Sequence, residues 1–169
     1  LKPFQKFIVK WALEGGRRAI WADTGLGKTR MMIEWARLTS DKKRLIIAPL
    51  AVCKQTVEEA ASIGVEVTYV RSEDQVTGPG IYITNYEMVE AVAPAGFEAV
   101  ALDEASILKQ STGKTRSMLI DVAKHIRYRT TWTATPAPND PEELTNQSEF
   151  LGHMTRTNML AAYFIHDSD

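Results

Sequence analysis

Ala19-Ile20-Trp21-Ala22-Asp23-Thr24-Gly25-Leu26-Gly27-Lys28-Thr29 is the stretch on which the reading of the fold turns. It runs from a short apolar segment through a glycine turn into Lys-Thr and a helical pattern. That order is the layout of a phosphate-binding loop. Gly25 and Gly27 let the backbone curl so that successive N–H groups point at an anion. Lys28 then reaches the β- and γ-phosphates, and the Thr29 hydroxyl is placed for Mg²⁺. The helix that follows turns its positive end to the same phosphates. The usual spacing starts on glycine, and here that position holds Ala22, the smallest residue with a Cβ.

The chain around this loop has 169 residues, enough for one domain with a full core. Its apolar fraction of 44% and charged fraction of 24% are those of a soluble globular protein. A net charge of −1 announces no nucleic-acid partner globally, and leaves room for a local basic face. Cys53 is the only cysteine, which excludes an intrachain disulfide and a cysteine metal cluster. A cytoplasmic setting is the expectation. No run approaches the roughly 18 apolar residues of a membrane span, and no signal peptide is seen, so no membrane partner is expected. Because the first residue is Leu1, a piece of a longer protein is expected.

Outward from the loop, apolar runs alternate with helical patterns. Residues 1–13 read as a helix with Phe4, Phe7, Ile8 and Trp11 on one face. Strands are expected over 19–22, 44–48, 65–70, 81–84, 97–102 and 128–133. Helices are expected over the segment ending near Thr39, then over 52–61, 86–93, 116–125 and 141–151. The polar stretch 106–114 reads as a loop, and residues 159–164 as a helical stub. Such alternation implies an α/β fold with a mostly parallel central sheet and helices on both faces, three layers in all. Ligands then sit outside the carboxyl ends of the strands. The phosphate loop, Asp103-Glu104 and Thr133-Ala134-Thr135 all fall at strand ends, so they should converge.

Asp103 and Glu104 end an apolar strand. Nucleotide hydrolysis needs one carboxylate for the metal shell and another to orient or deprotonate water. Asp103 suits the first task and Glu104 the second. Gln5 carries both a donor and an acceptor, and so matches an adenine edge that offers both. On spacing alone it is surface decoration on an amphipathic helix.

Taken together, these residues resemble the motifs of superfamily-two helicases in their Swi/Snf form, with a flavour of phage and bacterial proteins. Leu1-Lys2-Pro3-Phe4-Gln5 resembles the adenine-reading Gln motif. Residues 22–29 resemble motif I, in which alanine at the first position is ordinary. Ile46-Ile47-Ala48-Pro49-Leu50-Ala51-Val52 resembles motif Ia, and Ile83-Thr84-Asn85-Tyr86-Glu87 the next DNA-backbone segment. Leu102-Asp103-Glu104-Ala105-Ser106 resembles motif II. Thr133-Ala134-Thr135-Pro136, with Asn139, resembles motif III.

The resemblance implies a first RecA-like lobe of a P-loop NTPase over 1–152, with 153–169 beginning a connection to a second lobe. It implies an ATP hydrolase that uses ATP and Mg²⁺ and couples hydrolysis to translocation on, or remodelling of, double-stranded DNA. By position, Gln5 reads adenine with Phe4 or Lys2 nearby. Thr24, Gly25, Leu26, Gly27, Lys28 and Thr29 hold the phosphates, and Thr29 and Asp103 the metal. Lys28, Asp103 and Glu104 carry the chemistry, and Thr133, Ala134 and Thr135 couple nucleotide state to DNA grip. Contacts to DNA fall to Pro49, Asn85, Tyr86, Lys109, Lys114 and Arg116. Two positions depart from the family: Ser106 stands where motif II often has His, and Thr56 near the place of a frequent Trp. An arginine finger from a second lobe contributes about 10³–10⁵ in rate, so an isolated lobe is expected to hydrolyse ATP poorly. A non-hydrolysing nucleotide- or DNA-binding module, a restriction motor lobe and an RNA helicase lobe stand as alternatives.

Other features read as structural. His125, His153 and His166 share no metal-ligand spacing. Trp11, Trp21, Trp35 and Trp132 read as core, Cys53 as a small buried residue, Lys42-Lys43-Arg44 as a solvated turn, and Arg127-Tyr128-Arg129 as strand-edge charge.

Overall fold

The structure is a computed structural model. It describes residues 1–23, 25–104, 108, 113–134, 141–155, 157 and 158, with the side chains of 141–143 left aside. Six strands form one sheet: β1 (Arg17–Trp21), β2 (Lys43–Ala48), β3 (Val67–Tyr69), β4 (Gly80–Asn85), β5 (Ala99–Asp103) and β6 (Tyr128–Thr133). Their order is β1-β6-β5-β2-β4-β3, and every pairing is parallel. The helices are α1 (Pro3–Gly15), α2 (Lys28–Thr39), α3 (Leu50–Ser62), the short α4 (Val89–Val92), α5 (Gly113–Lys124) and α6 (Pro141–Leu151). The expected three-layer α/β architecture is what forms. No helix among the described residues is long and apolar enough to cross a membrane.

The central strands show why. Leu45–Ala48 and Ala99–Leu102 are apolar on both faces, as strands covered on both sides must be. Side chains alternate across the sheet. Ile46, Ala48, Ala99 and Ala101 join the core under α1, α2 and α3, with Met31, Met32, Trp35 and Trp132. Leu45, Ile47, Val100 and Leu102 join the opposite core with Val89, Leu119, Ile120 and Phe150. Trp132 is fully buried, and its indole N–H donates to Thr130 Oγ1 at 2.9 Å, so the ring carries no polar debt into the core. Cys53 is buried as expected, and that burial pushes its thiol up to about 11.

Several expectations are corrected. In α1 the buried residues are Gln5, Val9 and Ala12, while Phe4, Phe7 and Trp11 are exposed, Phe7 by 71%. The helix packs on α2, and Val9 and Ala12 join the core there. Trp11 is instead covered by Arg18, whose guanidinium sits 4.9 Å from the ring centroid. Trp21 is 52% exposed at the end of an edge strand. Lys43 and Arg44 belong to β2 rather than to a solvated turn, and Lys43 Nζ donates to the carbonyl of Ala95 at 3.0 Å. Arg17 and Arg18 already belong to β1, β3 is three residues long, and α5 begins at Gly113 and so takes in Lys114.

Arg129 is the sharpest correction. It is not strand-edge charge, because β6 lies inside the sheet between β1 and β5. The side chain is buried and donates to three carbonyls: Ile126 at 2.7 Å, Phe150 at 3.2 Å and Lys124 at 3.2 Å. It thereby closes the carboxyl ends of α5 and α6, where helix carbonyls lack partners. Gly152, at φ +73°, leaves room for it, since a Cβ there would stand 2.6 Å from the guanidinium. Burial, then the neighbouring Arg17 charge, lowers the Arg129 pKa. Arg129→Met should cost about 2–4 kcal/mol, read as a lower urea midpoint with an unchanged slope.

Candidate nucleotide site

The phosphate loop joins β1 to α2 at the carboxyl edge of the sheet. Ala22 is buried, and its N–H donates to the carbonyl of Thr133 at 3.0 Å, tying the loop to the end of β6. Leu26 N–H donates to Asp23 O at 3.2 Å and closes the turn. Gly25 and Gly27 both take the left-handed conformation, at φ 87° and 79°. Space around Gly25 is open, so its requirement is conformational. At Gly27 a Cβ would also come within 2.3 Å of Gln5 Nε2.

That contact explains Gln5. The side chain is buried, not surface decoration. Its Oε1 accepts from Lys2 N–H at 2.8 Å, and its Nε2 donates to Leu26 O at 2.8 Å. The amide therefore holds the start of α1 against the loop. One lone pair and one N–H remain for a further partner, which is the pair of roles an adenine edge needs.

Lys28 opens α2 and reaches across to β5. Its Nζ stands 3.0 Å from Asp103 Oδ1 and 3.8 Å from Glu104 Oε2, although 75 residues separate Lys28 from Asp103. Asp103 is almost fully buried, with 3% of its side chain exposed, and Lys28 is largely covered. Removing charge from water at this depth is sustained by pairing and hydrogen bonding. Asp103 Oδ1 also accepts the Glu104 N–H at 2.9 Å. Glu104 has φ 57°, the only positive φ outside glycine among the described residues. A non-glycine residue here costs of order 1–3 kcal/mol and is held only by its surroundings. The holding groups are visible: Thr133 Oγ1 donates to Glu104 Oε1 at 3.4 Å, and the Tyr86 hydroxyl reaches the carbonyls of Asp103 and Glu104.

Tyr86, expected at the DNA backbone, has its side chain buried. Burial first, and then the Asp103 charge, raise its phenol pKa, so it remains a donor to the carboxyl end of β5. Asn85 is likewise buried and spent within the fold: it accepts from Tyr69 OH at 2.7 Å and donates to Glu87. That bond lowers the Glu87 pKa. The sequence signal for such support roles is weak, because a polar residue after a strand serves a ligand and a neighbouring loop equally well. Pro49 is half-buried after β2, Lys114 is exposed and Arg116 half-buried on α5. Thr24, Ser106, Lys109, Thr135 and Asn139 lie outside the described residues. Ala134 directly follows β6.

The donors suit Mg²⁺. This ion is held by one or two carboxylates with phosphate oxygens, not by an all-protein cage. Asp103 and the Thr29 hydroxyl in the first turn of α2 are hard oxygen donors of that kind.

Comparison with known proteins agrees with this geometry. The family model described as SNF2-related domain matches residues 4–159. The DNA annealing helicase and endonuclease ZRANB3 of Mus musculus is 29% identical over 169 residues, covering 89% of this chain and 16% of that protein. Putative protein p41 of Acyrthosiphon pisum secondary endosymbiont phage 1 is 25% identical over 177 residues, covering 89% of this chain and 38% of its own length. The chain thus spans well under half of these curated relatives. Among solved structures, the Sulfolobus solfataricus SWI2/SNF2 ATPase core in complex with dsDNA superposes with a TM-score of 0.77 at 20% identity. It covers 97% of this chain and 39% of that one. The fold is shared, and with the family matched over nearly its whole length, the chain belongs to the SNF2-related domain family as a RecA-like lobe of the Snf2 type.

Proposed function

We propose that this lobe binds ATP with Mg²⁺ and, joined to a second RecA-like lobe of the same protein, converts ATP hydrolysis into movement along double-stranded DNA. The observation that carries the reading is the convergence of Lys28, Asp103 and Glu104 at one strand edge. Lys28 pairs with both carboxylates. Its ammonium would serve the phosphates, and Asp103 would serve the metal shell. Mg²⁺, when bound, supplies neutralisation of phosphate charge. Glu104 is left beside the γ-phosphate position to orient water and accept its proton.

Thr133 touches Glu104 and ends the strand bonded to the phosphate loop, so a change at the γ-phosphate is felt along β6. Lys114 and Arg116 on α5, and the segment from Pro49, are the candidates for the DNA backbone. Such contacts suit a motor, since phosphate contacts carry no base information. The isolated lobe is expected to hydrolyse slowly, because an arginine finger from a second lobe contributes about 10³–10⁵ in rate. The duplex-bound SWI2/SNF2 core among its structural neighbours favours DNA over RNA as the track.

Translocation is tested by ATP-driven displacement of a third strand from a triplex by the full-length protein. Displacement that requires hydrolysable ATP supports the reading; ATP turnover without displacement rejects translocation. Gln5→Ala should raise the KM for ATP by about tenfold and leave that for GTP unmoved, because a lost hydrogen-bonding amide costs about 1–2 kcal/mol toward the base it reads. Measurement of both KM values checks this.

A further inference from the structure

Helix α6 carries three consecutive polar residues, Thr145, Asn146 and Gln147, and all three are buried. Successive residues on a helix point about 100° apart, so no single face holds them. The helix is wedged between the β1–β6 edge of the sheet and α5. Asn146 Nδ2 donates to the carbonyl of Leu108, in the segment that follows Glu104, at 3.3 Å. Gln147 Oε1 accepts two donors from the other side, Trp21 Nε1 at 3.3 Å and Thr131 Oγ1 at 3.1 Å. Trp21 immediately precedes Ala22 of the phosphate loop, and Thr131 stands two residues before Thr133. One turn of α6 therefore holds two of the strands whose ends build the nucleotide site, β1 and β6, and Leu108 in the segment after the third.

The remaining halves of these amides, Asn146 Oδ1 and Gln147 Nε2, are buried without a hydrogen-bond partner. Half-paired buried amides weaken packing that an apolar side chain of equal length would strengthen. Stability alone does not account for them. What the paired halves touch does.

We propose that Gln147, assisted by Asn146, is a positioning residue of the nucleotide site. Its carbonyl oxygen ties the Trp21 indole and the Thr131 hydroxyl to α6, and so sets the ends of β1 and β6 that present Ala22 and Thr133. The inference rests on the reading of this site as an ATPase site. Gln147 touches no reacting atom and acts through Thr131 and Trp21.

Gln147→Met in the full-length protein keeps the length of the side chain and removes the amide. The expected result is an about tenfold lower DNA-stimulated kcat, since small misplacements at a site are costly. The KM for ATP should stay within about twofold, and the thermal midpoint should be unchanged or higher, because the unpaired Nε2 goes too. Thr131→Val removes only the donor hydroxyl. It should reproduce the loss, and combining it with Gln147→Met should add nothing further. An unchanged kcat, a loss that follows a fall in the thermal midpoint, or additive losses would each overturn the proposal. A wild-type protein without ATP turnover removes the ATPase reading itself. An active wild type with an equally active Gln147→Met removes this inference alone.

Discussion

Glu104→Gln in the full-length protein should lower DNA-stimulated ATP turnover by about 10²–10⁴-fold, the usual contribution of a positioned general base. The Kd for ATP should move by no more than about twofold, because Lys28 keeps its shorter contact to Asp103. Glutamine preserves the shape of the side chain and still accepts from Thr133. What it loses is the capacity to take a proton. The backbone at Glu104 is held left-handed by Asp103, Tyr86 and the Thr133 contact, all of which glutamine keeps, so the variant should fold as the parent does. Single-turnover hydrolysis and equilibrium nucleotide binding, measured on the same preparation, separate the two effects. Full turnover in Glu104→Gln would remove the role assigned to this carboxylate.

Lys28→Ala should act on binding itself. The Lys28 ammonium stands within 4 Å of both Asp103 and Glu104. Its loss should weaken ATP binding by about 2–4 kcal/mol, or roughly 30- to 1000-fold. A second consequence concerns the free protein. Asp103 would keep a buried charge with no cation beside it, which lowers stability by about 2 kcal/mol for a pair that is not wholly desolvated. Asp103→Asn added to Lys28→Ala should return most of that stability without returning nucleotide binding. Thermal unfolding of the single and double variants checks the first statement, and titration with a fluorescent ATP analogue the second. If the double variant were no more stable than Lys28→Ala, the ion pair would not be what holds this edge in the absence of nucleotide.

The motifs were legible because their chemistry is local. Gly25 and Gly27 need left-handed backbone wherever they fold, and an apolar strand ending in Asp-Glu places its acids at a sheet edge. Parallel topology then did the long-range work, since it puts the carboxyl ends of all strands on one side. The bounds of β6 and α6 were read to the residue for a related reason: threonine-rich β-branched sequence and a proline start are strong local signals.

What stayed hidden depends on neighbours. Helical spacing put Phe4, Phe7 and Trp11 on one stripe, and they do share one, but nothing in the spacing says whether a stripe faces the core. Packing on α2 gave burial to Gln5, Val9 and Ala12 instead. Arg129 looked like edge charge because β6 comes last in the chain, whereas strand order inserts it beside β1. Helical spacing does not single out Asn146 and Gln147. Three polar residues in succession on a helix just after motif III was the one available sign, and it needed the packing to give it meaning.

Steady-state ATP hydrolysis of the full-length protein with no nucleic acid, duplex DNA, single-stranded DNA and RNA in parallel decides whether this lobe serves a DNA motor. Hydrolysis should be slow alone and strongly stimulated by duplex DNA. No hydrolysis under any condition, or stimulation by RNA alone, would contradict it.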